Sequence, residues 1–222
     1  MLFRSVGLIG GSLALALKKH CPHIRVTAVD APEVLSRAQR LGIVDSAGFA
    51  ESDLTVLAAP VNQILELLKE HRWNTSLLLD VGSTKVKICD VAESLQLPFL
   101  GGHPMTGNEK SGPEAASADL FAGAPFFLSE VRTTPKGALN AVSALLRTIG
   151  AEPIPVSAKA HDRIVAKISH LPQLLSTLLA IQNAGNMSFA GPGARSMTRL
   201  AASPFHVWRD IDRKSTRLNS SH

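Results

Sequence analysis

The sequence of 222 residues predicts an α/β fold, a doubly wound and mostly parallel sheet, followed by an all-helical C-terminal region. Three observations predict it. Short apolar runs alternate with helical segments as far as residue 156. A glycine-rich turn near the N-terminus is followed, twenty positions beyond Gly10, by the acid Asp30 at the end of the next apolar run. Past Ser157 the texture changes to one long segment that is apolar over most of a helical circumference. Two domains follow from this, 1–156 and 157–212, with 213–222 as a polar, aperiodic tail that reads as disordered and non-native.

The elements run in order. Only Met1 to Arg4 stand before the turn, where a full central strand is expected. Arg4 and the apolar run Val6–Leu17 mimic a short secretory leader, but Gly7-Leu8-Ile9-Gly10-Gly11-Ser12 inside that run suits a strand-to-helix turn. Leu13–His20 reads as a helix and Val26–Val29 as the next strand, ending in Asp30. Leu54–Ala59 is a buried strand closed by Pro60, and Val61–Glu70 has helical spacing. Leu77–Val81 is another strand, followed by Gly82-Ser83-Thr84-Lys85 and a helix through Leu95. Pro98-Phe99-Leu100 leads into a loop at Gly101-Gly102-His103-Pro104-Met105-Thr106-Gly107. Ala124–Leu128 is a strand, Pro135 opens a helix to Ile149, and Pro153–Val156 is a short last strand. Asp30, Pro60, Ser83 and His103 all fall at carboxyl ends of strands, where a doubly wound sheet binds its ligands.

Residues 158–183 predict the buried helix of the second domain. It carries a polar stripe of His170, Gln173 and Thr177, and Pro172 is expected to kink it beside that stripe. Gly191-Pro192-Gly193 breaks the chain before Arg195 and Arg199, one helical turn apart. No apolar stretch is read as long enough to span a membrane.

Composition narrows the function. With 45% hydrophobic and 18% charged residues, the chain can bury a substantial core. The net charge of +5 is concentrated at the end, where Arg213, Lys214 and Arg217 lie, and there are no tyrosines and no basic–aromatic interleaving. A nucleic-acid platform is therefore disfavoured, while a small anionic ligand stays compatible with the charge. The two cysteines, Cys21 and Cys89, have no metal or redox spacing, which fits a reducing cytoplasm and indicates no metal site.

The glycine turn acts through its backbone. Gly7 lets the main chain approach a pyrophosphate, Gly10 permits close packing of helix on strand, and the N-terminal amides of the helix that follows face the phosphates, with Leu8, Ile9, Gly10, Gly11 and Ser12 as the cofactor-binding turn. The GxGxxG pattern lacks its first member, because Ser5 stands where glycine is required. Asp30 supports the dinucleotide reading by offering a carboxylate to ribose hydroxyls, and Ala31 after it provides no cation for a 2′-phosphate, so NAD is expected over NADP. His103 is presented by a proline that biases it toward extended backbone, and the small neighbours are expected to leave room beside the ring for a ligand.

Together these residues resemble the prephenate dehydrogenase and arogenate dehydrogenase family. The likeness rests on GLIGGSLA from Gly7, DVGSTK from Asp80, GGHPMTGNEKSG from Gly101, ADLFAGAPFFL from Ala118, HDRIVAKISHLPQ from His161, SMTRLA from Ser196 and VWRDI from Val207. It implies a Rossmann-like domain, NAD as cofactor, and oxidative decarboxylation of prephenate to 4-hydroxyphenylpyruvate on the route to tyrosine. Arogenate as substrate, or a catalytically impaired dinucleotide-binding module, are the alternatives. By the same resemblance His103 is the catalytic base and Ser83 holds the hydroxyl or the histidine, with helix N-capping as its structural alternative. Arg199 holds a substrate carboxylate, His170 and Gln173 line the substrate side, and Glu109 and Lys110 belong to a loop over the site. Gln173 and Ser196 depart from a histidine and an aspartate common in relatives. The family is cytoplasmic and dimeric through further helices, so the chain is expected to be a fragment shortened at both ends, with no membrane or nucleic-acid partner.

Overall fold

Alternation along each central strand sends one side chain to each face of a single sheet. In the computed structural model, which describes residues 1–70, 73–107 and 110–202, Val56, Leu79 and Leu100 enter one apolar cluster while their neighbours Leu57, Leu78 and Phe99 enter another. Strands buried on both faces read as continuous apolar runs and require helices on both sides. The chain divides into two compact units, Met1–His161 and Asp162–His222.

The first unit holds an eight-stranded sheet of order β3-β2-β1-β4-β5-β6-β7-β8. Its strands are β1 Leu2–Arg4, β2 Thr27–Val29, β3 Ser46–Ala47, β4 Thr55–Leu57, β5 Leu78–Asp80, β6 Phe99–Pro104, β7 Pro125–Glu130 and β8 Glu152–Pro155. All pairings are parallel except β6 with β7. The helices between them are α1 Leu8–His20, α2 Pro32–Arg40, α3 Val61–Leu67, α4 Val86–Ser94 and α5 Ala138–Thr148. The chain order reverses across β1 and β4, the switch point where such sheets open a crevice.

Several elements differ from the sequence reading. Helix α1 begins at Leu8 rather than Leu13, so the glycines form its first turn. Helix α2 and the two-residue β3 were not foreseen. The histidine segment is strand rather than loop, because Gly101 to Pro104 pair with Ser129 to Phe126. Among the described residues between β6 and β7 there is a short 3-10 turn at Pro113–Ala115 and no crossover helix, and β7 returns antiparallel.

The second unit begins inside α6 Ala158–Val165, continues through a π-helical turn at Ala166–His170, and extends as α7 Leu171–Gln182. Pro172 has no N–H to give and its ring crowds the preceding turn, and the widened π turn is where the helix absorbs that. After it come a 3-10 segment at Ala184–Phe189, α8 Pro192–Thr198 and a 3-10 turn at Arg199–Ala202. Helix α7 is not the buried core helix the sequence suggested. Leu171, Leu174, Leu175, Leu178 and Ile181 are exposed, while His170, Gln173 and Ser176 are buried. The run Ala158–Gln182 is also long and apolar enough, by length and composition, to cross a membrane, contrary to the expectation that no stretch reaches that length. Residues 213–222 of the expected tail lie outside the described residues.

Candidate active site

The glycine turn is built by close approach. A Cβ on Gly10 would lie 2.3 Å from the Ser5 carbonyl oxygen and 2.9 Å from Ala58 Cβ, so only glycine lets α1 sit on β1 and β4. Around Gly7 there is open space within 4 Å of where a side chain would stand. The amides of Leu8, Ile9 and Gly10 belong to the first turn of a 13-residue helix and have no carbonyl one turn back to bond. A Cβ on Gly11 would lie 3.1 Å from Ala116 Cβ, and the buried Ser12 hydroxyl accepts the Ser117 N–H at 2.9 Å. That hydroxyl thus fastens the segment after β6. Ser5, where the missing glycine was expected, has a φ of 80°, a left-handed conformation costly for any side chain.

Asp30 ties the turn to β2. Its Oδ2 accepts the Val6 N–H at 2.9 Å and its Oδ1 the Ala31 N–H at 2.7 Å. Pro60 is exposed at the carboxyl end of β4, in the cap position of α3.

Ser83 and His103 come from separate strands, and one carboxylate holds both segments. Asp80, the last residue of β5, is fully buried; its Oδ2 accepts the Gly82 N–H at 2.9 Å and its Oδ1 the Gly102 N–H at 3.1 Å. Each donor immediately precedes a candidate residue. Lys85, also fully buried, completes the arrangement with a short ion pair to Asp80 Oδ2. Burial pushes the Asp80 carboxyl above the ordinary aspartate range, against the pull of Lys85 and the two amides. Gly101 and Gly102 make this possible, since a Cβ on Gly102 would lie 2.5 Å from the Asp80 carbonyl oxygen and one on Gly101 3.2 Å from Lys85 Cδ. The small residues before His103 therefore admit the neighbouring strand, not a ligand as the sequence suggested. Ser83 is half-buried in the turn between β5 and α4, and the cap position of α4 is Lys85, which removes the N-cap alternative for Ser83.

His103 is half-buried, with Nδ1 2.9 Å from Nε2 of His161, a fully buried residue of α6. The two rings meet edge to face at 5.1 Å, and Phe127 meets His161 the same way at 5.2 Å. The sequence reading passed over His161 and Asp80, although a histidine on the inner face of a helix and an acid at the end of an apolar strand, with Lys85 five positions on, were signals for both.

The remaining candidates belong to the second unit or lie beside a gap in the description. Gln173 Nε2 donates to the Leu200 carbonyl at 2.9 Å, and the Ala201 N–H donates to Ser176 Oγ at 3.0 Å, so α7 fastens the turn that carries the exposed Arg199. His170 is buried one turn before Gln173. Lys110 is exposed, and Glu109 lies outside the described residues. Within each unit the candidates gather: the glycine turn, Asp30, Pro60, Ser83 and His103 along the carboxyl edge of the sheet, and His170, Gln173 and Arg199 around α7.

Two family models match the chain in tandem: the prephenate dehydrogenase nucleotide-binding domain over residues 13–154 and the prephenate dehydrogenase dimerization domain over 157–221. The chain belongs to the prephenate dehydrogenase family. The prephenate dehydrogenase of Bacillus subtilis is 35% identical over 232 residues, covering 95% of this chain and 62% of that protein. The chain thus spans about three fifths of the length of such curated relatives. Among solved structures, the prephenate dehydrogenase from A. aeolicus, crystallised with hydroxyphenyl propionate and NAD+, superposes with a TM-score of 0.90 at 28% identity, covering 97% of this chain and 82% of the other. Synechocystis arogenate dehydrogenase gives a TM-score of 0.79 at 25% identity, with 97% and 84% covered.

Proposed function

We propose that this prephenate dehydrogenase family member catalyses NAD-dependent oxidative decarboxylation of prephenate to 4-hydroxyphenylpyruvate. The observation that carries the reading is His103, a half-buried imidazole at the carboxyl edge of the sheet, gripped on Nδ1 by a second imidazole and on its backbone side by Asp80. Such a group is positioned to move a proton beside a nucleotide site.

The residues present fit NAD. Open space at Gly7, the first-turn amides of α1 and the Asp30 carboxylate suit a pyrophosphate and a ribose, and Ala31 offers no charge to a 2′-phosphate. When bound, NAD supplies the hydride acceptor. His103 Nε2 takes the proton of the ring hydroxyl as the hydride leaves carbon 4, and the O–H electron pair becomes part of a carbonyl. The ring carboxylate then leaves as carbon dioxide, its bonding pair restores the aromatic ring, and the oxygen regains a proton as a phenol. Ser83 orients the hydroxyl or the histidine. Arg199 pairs with a substrate carboxylate through its planar fork, and His170, Gln173, Lys110 and Glu109 complete the substrate side.

A second copy of the chain is the partner that suits the exposed leucines of α7, in keeping with the family's description of this region as a dimerization domain. A soluble cytoplasmic enzyme fits the free, buried Cys21 and Cys89. Arogenate is the second reading, supported by the likeness to the Synechocystis enzyme. Incubation with NAD and either substrate, following the absorbance of the reduced nicotinamide, tests both: reduction is expected with prephenate, faster reduction with arogenate would exchange the two readings, and NAD binding without reduction in either case would overturn both.

A further inference from the structure

We infer that His161 is a positioning residue that fixes His103 in the one neutral tautomer able to accept a proton at Nε2. This rests on His103 being the base.

A nitrogen–nitrogen distance of 2.9 Å between two imidazoles accommodates one hydrogen. Two would collide, and none would set lone pair against lone pair. Two neutral arrangements remain. If His161 Nε2 donates, the His103 lone pair at Nδ1 is consumed, its proton sits on Nε2, and that nitrogen cannot take another. If His103 Nδ1 donates, its Nε2 carries the lone pair. The second arrangement is also the one that survives the reaction: once His103 has taken a proton both of its nitrogens are donors, so its partner must accept. With His161 accepting from the start, no proton between the rings has to move. His161 Nδ1 then carries that ring's own proton.

The surroundings hold His161 to this task. Its side chain is wholly buried, so solvent does not share the contact. Phe127 stands directly across the β6–β7 ladder from His103, and its ring meets that of His161 at an interplanar angle of 86°. His103 and Phe127, which the His161 ring meets, are themselves fixed by strand register. The logic is that of any imidazole whose working nitrogen is set by the hydrogen bond of the other.

The test uses the full chain labelled with 15N at histidine, with His161→Leu and His161→Gln beside the parent. Nitrogen NMR, with His103→Asn used to assign the signals, is expected to show His103 protonated on Nδ1 and bare on Nε2. In His161→Leu the His103 signals move toward the opposite tautomer and kcat falls on the order of 10- to 100-fold, with KM and NAD affinity nearly unchanged. His161→Gln, whose side-chain oxygen can accept the same N–H, recovers most of the loss. A bare Nδ1 on His103 in the parent, parent-like turnover in His161→Leu, or a Gln variant no better than a folded Leu variant would overturn the inference. If His161→Leu does not fold, the parent spectrum and the Gln variant still decide. Failure of the underlying reading shows elsewhere, as normal turnover in His103→Asn.

Discussion

The two units of this chain bury opposite kinds of side chain. In Met1–His161 the apolar residues fill both faces of a sheet, and the charges that go inside, Asp80 and Lys85, are paired and bonded to backbone amides. In the described part of the second unit α7 turns His170, Gln173 and Ser176 inward and leaves Leu171, Leu174, Leu175, Leu178 and Ile181 in the open. These side chains are already about half covered, so covering the rest is worth roughly 1 kcal/mol each, and a face carrying five of them is a surface that association would stabilise. The buried polar groups of α7 have a definite use all the same, since Gln173 and Ser176 anchor the turn bearing Arg199.

The largest expected effect separates chemistry from nucleotide binding within the first unit. His103→Asn is expected to lower turnover on the order of 100- to 10,000-fold while titration with NAD gives an unchanged affinity. Near-normal turnover would remove the sheet edge from the chemistry altogether. The second variant addresses the other unit: with a second copy proposed to cover the exposed face of α7, Leu174→Asp combined with Leu178→Asp is expected to leave the protein monomeric by light scattering where the parent is dimeric, because two charges cannot be buried there unpaired. NAD binding should survive that change. A double variant that remains dimeric would show that the exposed face of α7 is not the association surface, and the contrast between the units would need another cause.

Much of this contrast was legible in the sequence, and the exceptions have physical reasons. The alternation of elements, Asp30 at a strand end and the interruption of regular α-helix just before Pro172 follow from local patterns, because periodicity and proline chemistry act over a few residues. Burial of the 158–183 helix was misjudged, since a near-continuous apolar circumference looks the same whether the cover comes from the chain or from a partner. His161 was missed because its partner is 58 residues away and contact between them depends on where α6 starts relative to β6. The glycines before His103 were misread for a similar reason: their smallness answers to Asp80 at the end of β5 and to Lys85 at the start of α4, a demand that sequence distance conceals. Local rules also could not reveal that β7 runs antiparallel, which places Phe127 beside His103.

A smaller effect is expected at Arg199. Replacement by alanine should raise the KM for prephenate by the equivalent of about 2 kcal/mol, the lower end for a truncated charge pair, because the side chain is exposed within its own unit. Turnover at saturation should change less. An unchanged KM would detach the turn held by Gln173 and Ser176 from the substrate, leaving those buried polar groups a purely structural role.

The smallest effect sharpens the account of the first unit, where one residue conflicts with its own backbone. Ser5 has a φ of 80°, and its carbonyl oxygen is the atom against which Gly10 packs, so the conformation is imposed by the approach of α1 to β1 and cannot relax locally. Left-handed backbone costs a non-glycine residue about 1–2 kcal/mol, while glycine gives back part of that through a freer unfolded chain. Ser5→Gly is therefore expected to stabilise the protein by about 0.5–1 kcal/mol, a rise of roughly 1–4 °C in Tm. NAD affinity should hold or improve. Ser5→Ala is the control: it removes the hydroxyl but keeps the Cβ, and it should gain nothing. Equal stabilisation by both would trace the effect to the hydroxyl rather than to φ, and the absence of glycine from the first position of the turn would then carry no strain.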